Sequence, residues 1–328
     1  MNKRSSLWTA IFAATGLMVL ILDGKTAYFG AKDGLELCLS TLIPTLLPFF
    51  FLSTILTAGL MGRKIGIFRP ICQICRIPSG AEYILITGFL GGYPLGARCI
   101  SHACQSGVLS KKDGRRMLAI CNNCGPAFLF GVAGVLFRQP IVSWILFFIH
   151  ILSAIFVAMI IPGVPGQCIS KTKGISSPVQ ALWQSLRAVA GVCGWVILFR
   201  VLIAVMKRWI LCYFSIDIQI AVTGLFELSN GCTQLHQIDH QGLRFILCAG
   251  FISFGGLCVL MQTYSAVPNV DHSLYLPGKV LQCLISLFLA CLLAAPKYAL
   301  YPGTAAVCIG IFLRIHENKC RNPEKLVV

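Results

Sequence analysis

The residues that could bind a solute lie at three helix-breaking points of an otherwise strongly apolar chain. The first segment is 88–97, the second is 122–126 and the third is 227–231. Glycine loosens a helix and proline removes a backbone donor, so peptide groups are freed at such points. In a bilayer, freed peptide groups are tolerated only where they are buried in protein or line a polar cavity. We therefore predict substrate-binding roles for Gly92, Tyr93, Pro94, Gly96, Asn122, Asn123, Glu227, Ser229 and Asn230.

Glu227 is the one carboxylate that the sequence places deep inside an apolar segment. An ionisable group at that depth is costly unless it is paired or hydrated, so contact with a solute or a coupling cation is our first interpretation. The alternative is an ion pair that locks the two halves of the protein together. Its partner would be Arg98, Arg187 or Arg200.

Asn122 and Asn123 are neighbours, and adjacent residues of a helix point in different directions. We expect one of them to cap freed backbone beside Gly125-Pro126 while the other points into the polar centre. Tyr93 could stack on a base, although packing of the ring at the turn is the commoner role for such a residue.

The sequence favours neither catalysis nor a bound metal. No nucleophile, base and orienting residue stand together, so we predict no catalytic residues and no enzyme activity. The paired glycines of the first segment are not followed by Gly-Lys-Ser/Thr, so they do not form a nucleotide-binding loop of the ATPase type. If the protein transports a solute, the absence of this motif favours a gradient over ATP as the energy source. Cys72/Cys75 and Cys121/Cys124 have the spacing of ligand pairs, but neither finds a second pair nearby, so we expect no metal and no cofactor.

The composition indicates an integral membrane protein. Hydrophobic residues make up 57% of the chain and charged residues 12%, and the mean hydropathy is +0.81. The run at 7–22 follows Lys3 and Arg4 as a signal peptide would, but no small-residue cleavage site follows it, which favours a retained helix. Eight apolar runs are predicted to span the bilayer, near 7–22, 35–61, 117–137, 141–161, 183–206, 243–266, 279–295 and 298–314.

The net charge of +16 does not indicate nucleic acid as a partner, because the basic residues lie mostly in short loops. The loops 62–82 and 107–116 are both basic, and with Lys279 and the two termini they are assigned to the cytoplasmic side. The predicted partners are the lipid bilayer and a small polar solute or cation. The sequence leaves the oligomeric state open, a homo-oligomer included.

The charge pattern also predicts an inverted repeat. Since both flanking loops are cytoplasmic, residues 83–106 should enter the membrane and return as a re-entrant hairpin. The segment 217–235 is interrupted at Glu227 and should enter from the opposite face, before a glycine-interrupted span at 243–266. The expected fold is an all-α polytopic bundle of about eight transmembrane helices and two re-entrant hairpins. The predicted units are an N-terminal helix with its loop (1–34), the first repeat (35–165), a cytoplasmic linker (166–182), the second repeat (183–296) and a last helix with a basic tail (297–328).

The same motifs carry a family likeness. The stretch from Gly92 to Ala97, the basic turn ending at Arg116 and the block Asn122-Asn123-Cys124-Gly125-Pro126 resemble those of the sporulation integral membrane proteins. Those proteins carry the nucleoside-recognition, or Gate, domain that is shared with concentrative nucleoside transporters and with the membrane part of ferrous-iron transporters. The motif 227–231 resembles the second-half motif of that domain, an acidic residue followed by a small hydroxyl residue and glycine.

The resemblance implies a role in endospore formation in a Gram-positive bacterium. With it, we expect a gradient-driven transporter or permease of a small polar solute, nucleoside-like or ionic. The alternative from another class is a non-transporting scaffold or ligand-binding protein that is needed for the spore envelope or cortex. A hydrated path to a titratable group would favour the transporter.

Overall fold

The computed structural model describes residues 3–61, 63, 65–163 and 177–321, and the regular elements in these ranges are helices. The predicted linker lies outside the described residues up to 176, as does the basic tail from 322. The first half contains α1 (Lys3–Leu22), α2 (Gly24–Leu37), α3 (Ile43–Leu60), α4 (Arg69–Ile74), α5 (Glu82–Gly91), α6 (Leu95–Gln105), α7 (Lys111–Cys121), α8 (Pro126–Phe137) and α9 (Pro140–Ile160). The second half contains α10 (Pro178–Trp209), α11 (Ile216–Phe226), α12 (Leu228–Gln234), α13 (Gln241–Phe254), α14 (Gly256–Ala266), α15 (Tyr275–Ala294) and α16 (Leu300–Arg321).

Seven helices among the described residues are long and apolar enough to cross a membrane. They correspond to seven of the eight predicted spans. The eighth, at 7–22, falls on α1, of which Ala13–Leu22 is a shorter apolar helix. The seven are Gly24–Leu60, Lys111–Phe137, Pro140–Ile160, Pro178–Trp209, Gln241–Ala266, Tyr275–Ala294 and Pro296–Asn318.

The predicted helix breaks are confirmed. In the first half, α5 and α6 form a hairpin with its turn at 92–94, and the crossing helix α7–α8 is interrupted at 122–125. The second half repeats this order, with α11 and α12 meeting at Glu227 and α13 and α14 meeting at Gly255. At 1.5 Å per residue, α5, α6 and α11 are each about 15 Å long, half the thickness of the hydrocarbon core. Such arms have the length of a hairpin that turns near the midplane.

Helices in equivalent positions of the two halves pack against each other. The pairs α3–α10 and α9–α15 are in contact. The first hairpin also reaches the second half, because α6 contacts α14. The largest apolar cluster lies between α5, α6, α7, α9 and α15, and a second joins α8 and α9 to α11–α13. The broken helices are therefore enclosed by apolar packing. The unit boundaries and the opposite membrane sense of the two hairpins stay predictions.

Arg116 corrects the assignment of the basic turn 107–116 to an exposed loop. From Lys111 onward this stretch is the first part of α7, and Arg116 is 2% exposed. Its guanidinium donates hydrogen bonds to the carbonyl oxygens of Cys75 (2.7 Å), Arg76 (3.1 Å), Ala158 (2.8 Å) and Ile161 (3.1 Å). The C-terminus of a helix leaves carbonyl groups without hydrogen-bond donors. Here the Arg116 guanidinium donates to two such carbonyl groups after α4 and to two at the end of α9. Arg116 thus connects the start of α7 to the end of α4 and to the end of α9.

Candidate functional site

The first hairpin packs onto the break of α7–α8 through backbone. Gly88 on α5 and Gly96 on α6 both lie against the carbonyl oxygen of Cys121, where a methyl group would overlap that atom. Gly92 has a φ of +75°, and a Cβ there would lie 2.8 Å from the backbone nitrogen of Gly125. Only glycine permits this backbone conformation and this approach together. The two predicted breaks are therefore in direct contact.

Asn122 connects this break to the second half of the protein. Its Nδ2 donates to Thr263 Oγ1 and to the Tyr275 hydroxyl, both at 2.9 Å, and its Oδ1 accepts from the backbone N–H of Ala97 at 3.3 Å. The side chain is fully buried. One amide thus joins α6, α14 and α15.

Asn123 points into the same interior, which corrects the expectation that the two asparagines must diverge. Asn122 has an extended backbone, with φ −110° and ψ 95°, so helical spacing does not apply between these neighbours. Asn123 Nδ2 caps the carbonyl of Ile120 at 2.7 Å, as expected for one of the pair. Its Oδ1 accepts from Lys279 Nζ at 2.9 Å and from Gln282 Nε2 at 3.1 Å.

Lys279 is a central residue that the sequence reasoning misplaced. The charge pattern predicts a place at the cytoplasmic end of a span, but Lys279 lies on the inner side of α15 and is 1% exposed. Its ammonium group donates to Asn123 Oδ1 and, at 2.7 Å, to Gln282 Oε1. The signal in the sequence is the spacing of Lys279, Gln282 and Ser286, at i, i+3 and i+7 along an apolar helix. Such spacing puts all three side chains on one helix face.

Tyr93 joins the turn of the first hairpin to the break of α13–α14. Its ring lies 5.3 Å from Lys279 Nζ, and a Cβ on Gly255 would lie 3.1 Å from the ring. Its hydroxyl donates to the carbonyl of Ile252 at 3.5 Å. Pro94 is buried beside it and precedes α6. The ring therefore packs at the turn, the commoner of the two roles considered for it.

His150 is a second residue of this centre to which the sequence reasoning gave no role. Its Nε2 accepts the backbone N–H of Cys124 at 3.2 Å, and its Nδ1 lies 3.2 Å from Ser253 Oγ. The accepting Nε2 requires that Nδ1 carry the proton and donate it to Ser253. A fully buried histidine on α9 thereby satisfies a peptide group freed by the Gly125-Pro126 break.

Glu227 caps the helix that follows it. Its Oε1 accepts from Ser229 N at 2.9 Å, and its Oε2 accepts from Ser229 Oγ at 2.6 Å and from Asn230 N at 2.7 Å. An acidic N-cap satisfies orphan N–H groups and interacts favourably with the helix dipole. Ser229 and Asn230 thus serve the cap, and Asn230 Oδ1 also accepts from Gln234 Nε2 at 2.5 Å.

Of the three arginines considered as partners of Glu227, Arg200 is the one in ion-pair range. Its Nε lies 3.8 Å from Glu227 Oε2, while its NH1 donates to Asp33 Oδ2 at 2.6 Å. Arg98 donates to the carbonyl of Gln184 at 2.8 Å, and Arg187 is exposed. Arg200 is therefore bonded to a residue of α2 and only approached by Glu227.

The predicted site residues thus form two clusters on either side of the α13–α14 break. We call the residues around Asn122, Asn123, Tyr93 and Lys279 the amide cluster, and those around Glu227, Ser229 and Asn230 the carboxylate cluster. Gly255 contacts Tyr93 of the first, and Gly256, with φ +83°, contacts the backbone of Glu227 and Leu228 in the second. The four helix breaks therefore lie next to one another inside the bundle.

A polar cavity of about 200 Å³ lies next to the first hairpin, between α3, α6 and α10, and is partly open. Leu95, the residue after Pro94, forms part of its wall. The polar residues of its lining are Thr54, Thr57, Thr87, Arg98, Ser101, His102, Gln105 and Gln184. The cavity therefore brings hydroxyl groups and one cation close to the turn of the hairpin.

The fold and these clusters define a polytopic, all-helical membrane protein whose crossing helices are broken in its interior. The chain is similar to the sporulation integral membrane protein YlbJ of Bacillus subtilis (strain 168), with 23% identity over 317 residues that cover 83% of this chain and 78% of that protein. No protein-family profile matches the chain. No solved structure matches it either.

Proposed function

We propose that this protein is a sporulation-associated, gradient-driven transporter or permease of a small polar solute, nucleoside-like or ionic, in the cell membrane. Both termini would be cytoplasmic. The similarity to YlbJ supports the link to sporulation. The resemblance of the segments 92–126 and 227–231 to the nucleoside-recognition domain supports a relation to transporters of that kind.

The observation that carries the transport proposal is the meeting of four helix breaks around buried polar side chains. Asn122, Asn123 and Glu227 are each less than 5% exposed, and each lies at a break. A bundle that only had to be stable in lipid would keep its peptide groups inside continuous helices. Broken helices at mid-depth are typical of transporters, where they present backbone groups to a solute or ion.

The polar cavity supports a route to this centre. Arg98, His102 and the hydroxyl groups of α3, α5 and α6 give it a lining on which water or a polar solute can form hydrogen bonds. Leu95 lies in its wall directly after Pro94, and we propose that a movement of the hairpin turn connects the cavity with the amide cluster. We propose that solute enters here.

A specific observation favours the alternative, a non-transporting scaffold or ligand-binding protein of the spore envelope or cortex. The side chains of Asn122 and Glu227 are hydrogen-bonded within the protein, Asn122 to Thr263 and Tyr275, and Glu227 to its own helix. Polar groups that are bonded in this way can serve to fix one arrangement of the helices.

Two measurements on one set of variants separate the candidates. The chain is expressed in Bacillus subtilis without YlbJ, and heat-resistant spores are counted. The purified protein is placed in liposomes, and uptake of labelled nucleosides, small carboxylates and simple cations is followed with and without an imposed gradient. A transporter should restore spores and show gradient-dependent uptake. Ser101→Phe, which fills the cavity, should abolish both, whereas Ser106→Phe, in the half-buried turn after α6 and outside the lining of the cavity, should not.

Spores restored without uptake of any of these solutes would support the scaffold. Failure to restore spores, with no uptake, would contradict both proposals. Uptake that Ser101→Phe leaves unchanged would contradict the route through the cavity.

A further inference from the structure

Lys279 carries a buried amino group with an unusual set of neighbours. It lies on α15 against the α7–α8 break, 1% exposed. Among the described residues, no carboxylate oxygen lies within 4.0 Å of its Nζ. An amino group at this depth is costly unless its surroundings replace both water and a counter-ion. The question is which groups do so.

Two amide oxygens and two aromatic rings surround the ammonium group. Asn123 Oδ1 lies at 2.9 Å and Gln282 Oε1 at 2.7 Å. The Tyr93 and Tyr275 rings lie at 5.3 and 5.9 Å from Nζ to the ring centroid. Neutral oxygens and ring faces stabilise monovalent cations without adding a negative charge. These neighbours therefore have the chemistry of a site for a small monovalent cation.

The two amides are held so that their oxygens face the cation. Asn123 Nδ2 is used by the carbonyl of Ile120 at 2.7 Å, and Gln282 Nε2 is used by Asn123 Oδ1 at 3.1 Å and by the carbonyl of His150 at 3.4 Å. With their NH₂ groups bound elsewhere, both side chains must direct oxygen at Nζ. The oxygens are oriented by the fold, so the cation site is built independently of Lys279.

The site also lies at the end of a helix with the right polarity. Asn123 follows the C-terminus of α7, where the helix dipole and the unpaired carbonyl groups favour positive charge. In transporters with broken helices, such ends commonly coordinate the cation that drives transport. Here the position is taken by a side chain of the protein.

We propose that the Lys279 amino group occupies the cation position of this site, so that the protein binds neither Na⁺ nor K⁺ there. The consequence for transport, that solute movement needs no Na⁺ gradient, rests on the proposed function. The cation site itself does not. Removing the side chain should leave a vacancy that accepts a small alkylammonium ion.

The test uses chemical rescue of purified protein in detergent. Lys279→Ala removes the atoms that n-propylammonium supplies, and Lys279→Met fills the same space without a charge. Thermal unfolding is measured with propylammonium chloride, with n-propanol as its neutral counterpart, and with choline chloride at equal ionic strength. Lys279→Ala should unfold at a lower temperature than the wild type, and propylammonium should recover ~2–4 °C of that loss when it is present at several times its dissociation constant.

Propanol and choline should give no such recovery, and Lys279→Met should respond to none of the three. Recovery by propanol equal to that by propylammonium would show that the site requires volume and not charge, and would overturn the proposal. A folded Lys279→Ala variant that no cation stabilises would overturn it too.

A second measurement does not depend on the folding of any variant. The wild-type protein should unfold at the same temperature in NaCl, KCl and choline chloride of equal ionic strength. Specific stabilisation by Na⁺ or K⁺ would contradict the occupation of this site by Lys279. If propylammonium rescues Lys279→Ala but the protein takes up no solute in liposomes, the cation site stands and only the transport role is contradicted. If uptake occurs but requires Na⁺, transport stands and the proposed role of Lys279 is overturned.

Discussion

The break at 122–125 and the break at Glu227 free backbone groups in the same way but recover their hydrogen bonds from different places. At the first, Cys124 N–H is taken by His150 of α9, and the asparagines bond to Thr263, Tyr275 and Lys279 of the second half. At the second, the carboxylate of Glu227 satisfies the next N–H groups along its own chain.

The difference explains why the two breaks need different surroundings. A locally capped break carries its own acceptor, so its neighbours can be apolar or only approach it, as Arg200 does at 3.8 Å. A break without a local acceptor must be placed against partners from other helices. The amide cluster therefore binds the two halves together, while the carboxylate cluster is largely self-contained.

The largest difference between the two hairpins should be the face from which each enters the membrane. Single cysteines at Lys112, after the first hairpin, and at Asp239, after the second, are placed in a cysteine-free protein. If the repeats are inverted, a membrane-impermeant thiol reagent applied outside intact cells should label position 239 and leave position 112 unlabelled. Both residues are exposed in the structure, so burial does not limit the reaction. Equal labelling at the two positions would contradict the inverted arrangement.

The largest effect on folding should come from Gly96→Ala. The new methyl group would overlap the Cys121 carbonyl oxygen and lie 3.1 Å from Asn122 Cα, and backbone atoms cannot move aside as a flexible side chain can. We expect a loss of ~3 kcal/mol or more and little folded protein in detergent extracts analysed by size exclusion. Gly134→Ala on α8, where no atom lies within 4 Å of the new methyl group, is the matched control and should accumulate normally.

Asn123→Leu should be the most damaging change within the amide cluster. It removes one of the two oxygens that hold the buried Lys279 ammonium, and we expect a loss of ~3 kcal/mol, measured by thermal unfolding. Adding Lys279→Met should restore most of that loss, because the uncompensated charge is then absent. A double variant as unstable as the single one would show that Asn123 acts mainly by capping Ile120.

Glu227→Gln should lower stability less than either Gly96→Ala or Asn123→Leu. One carboxylate oxygen becomes an NH₂ group, so a hydrogen bond of the cap is lost, but Arg200 keeps its bond to Asp33. We expect a loss of about 1–2 kcal/mol in the free energy of unfolding. Glu36→Gln, at an exposed carboxylate of α2, should change nothing.

A loss at Glu227 as large as that of Asn123→Leu would mean that the carboxylate cluster depends on distant partners as well. If Glu227 also binds the solute, the folded Gln variant should lose gradient-dependent uptake in liposomes.

Much of the fold could be read from local signals. Long apolar runs predicted seven of the crossing helices, and glycine, proline and asparagine marked the breaks, because these properties depend on a residue and its immediate neighbours. The Glu227 cap also has a local signal, an acidic residue just before two residues whose N–H groups need acceptors. The divergence expected of Asn122 and Asn123 was wrong because it assumed helical geometry inside a break.

The sequence by itself determined that the chain is an apolar, helical membrane protein and where its helices are interrupted. Only the tertiary structure decided which residues those interruptions face. Lys279 follows a loop in the sequence and reads as a surface cation, yet it lies against Asn123, 156 residues away along the chain. Likewise, no neighbouring residue in the sequence indicates the buried role of His150, and Arg116 resembles the other basic residues of its loop. Their roles depend on groups that approach only when the halves pack, and no local pattern carries that information.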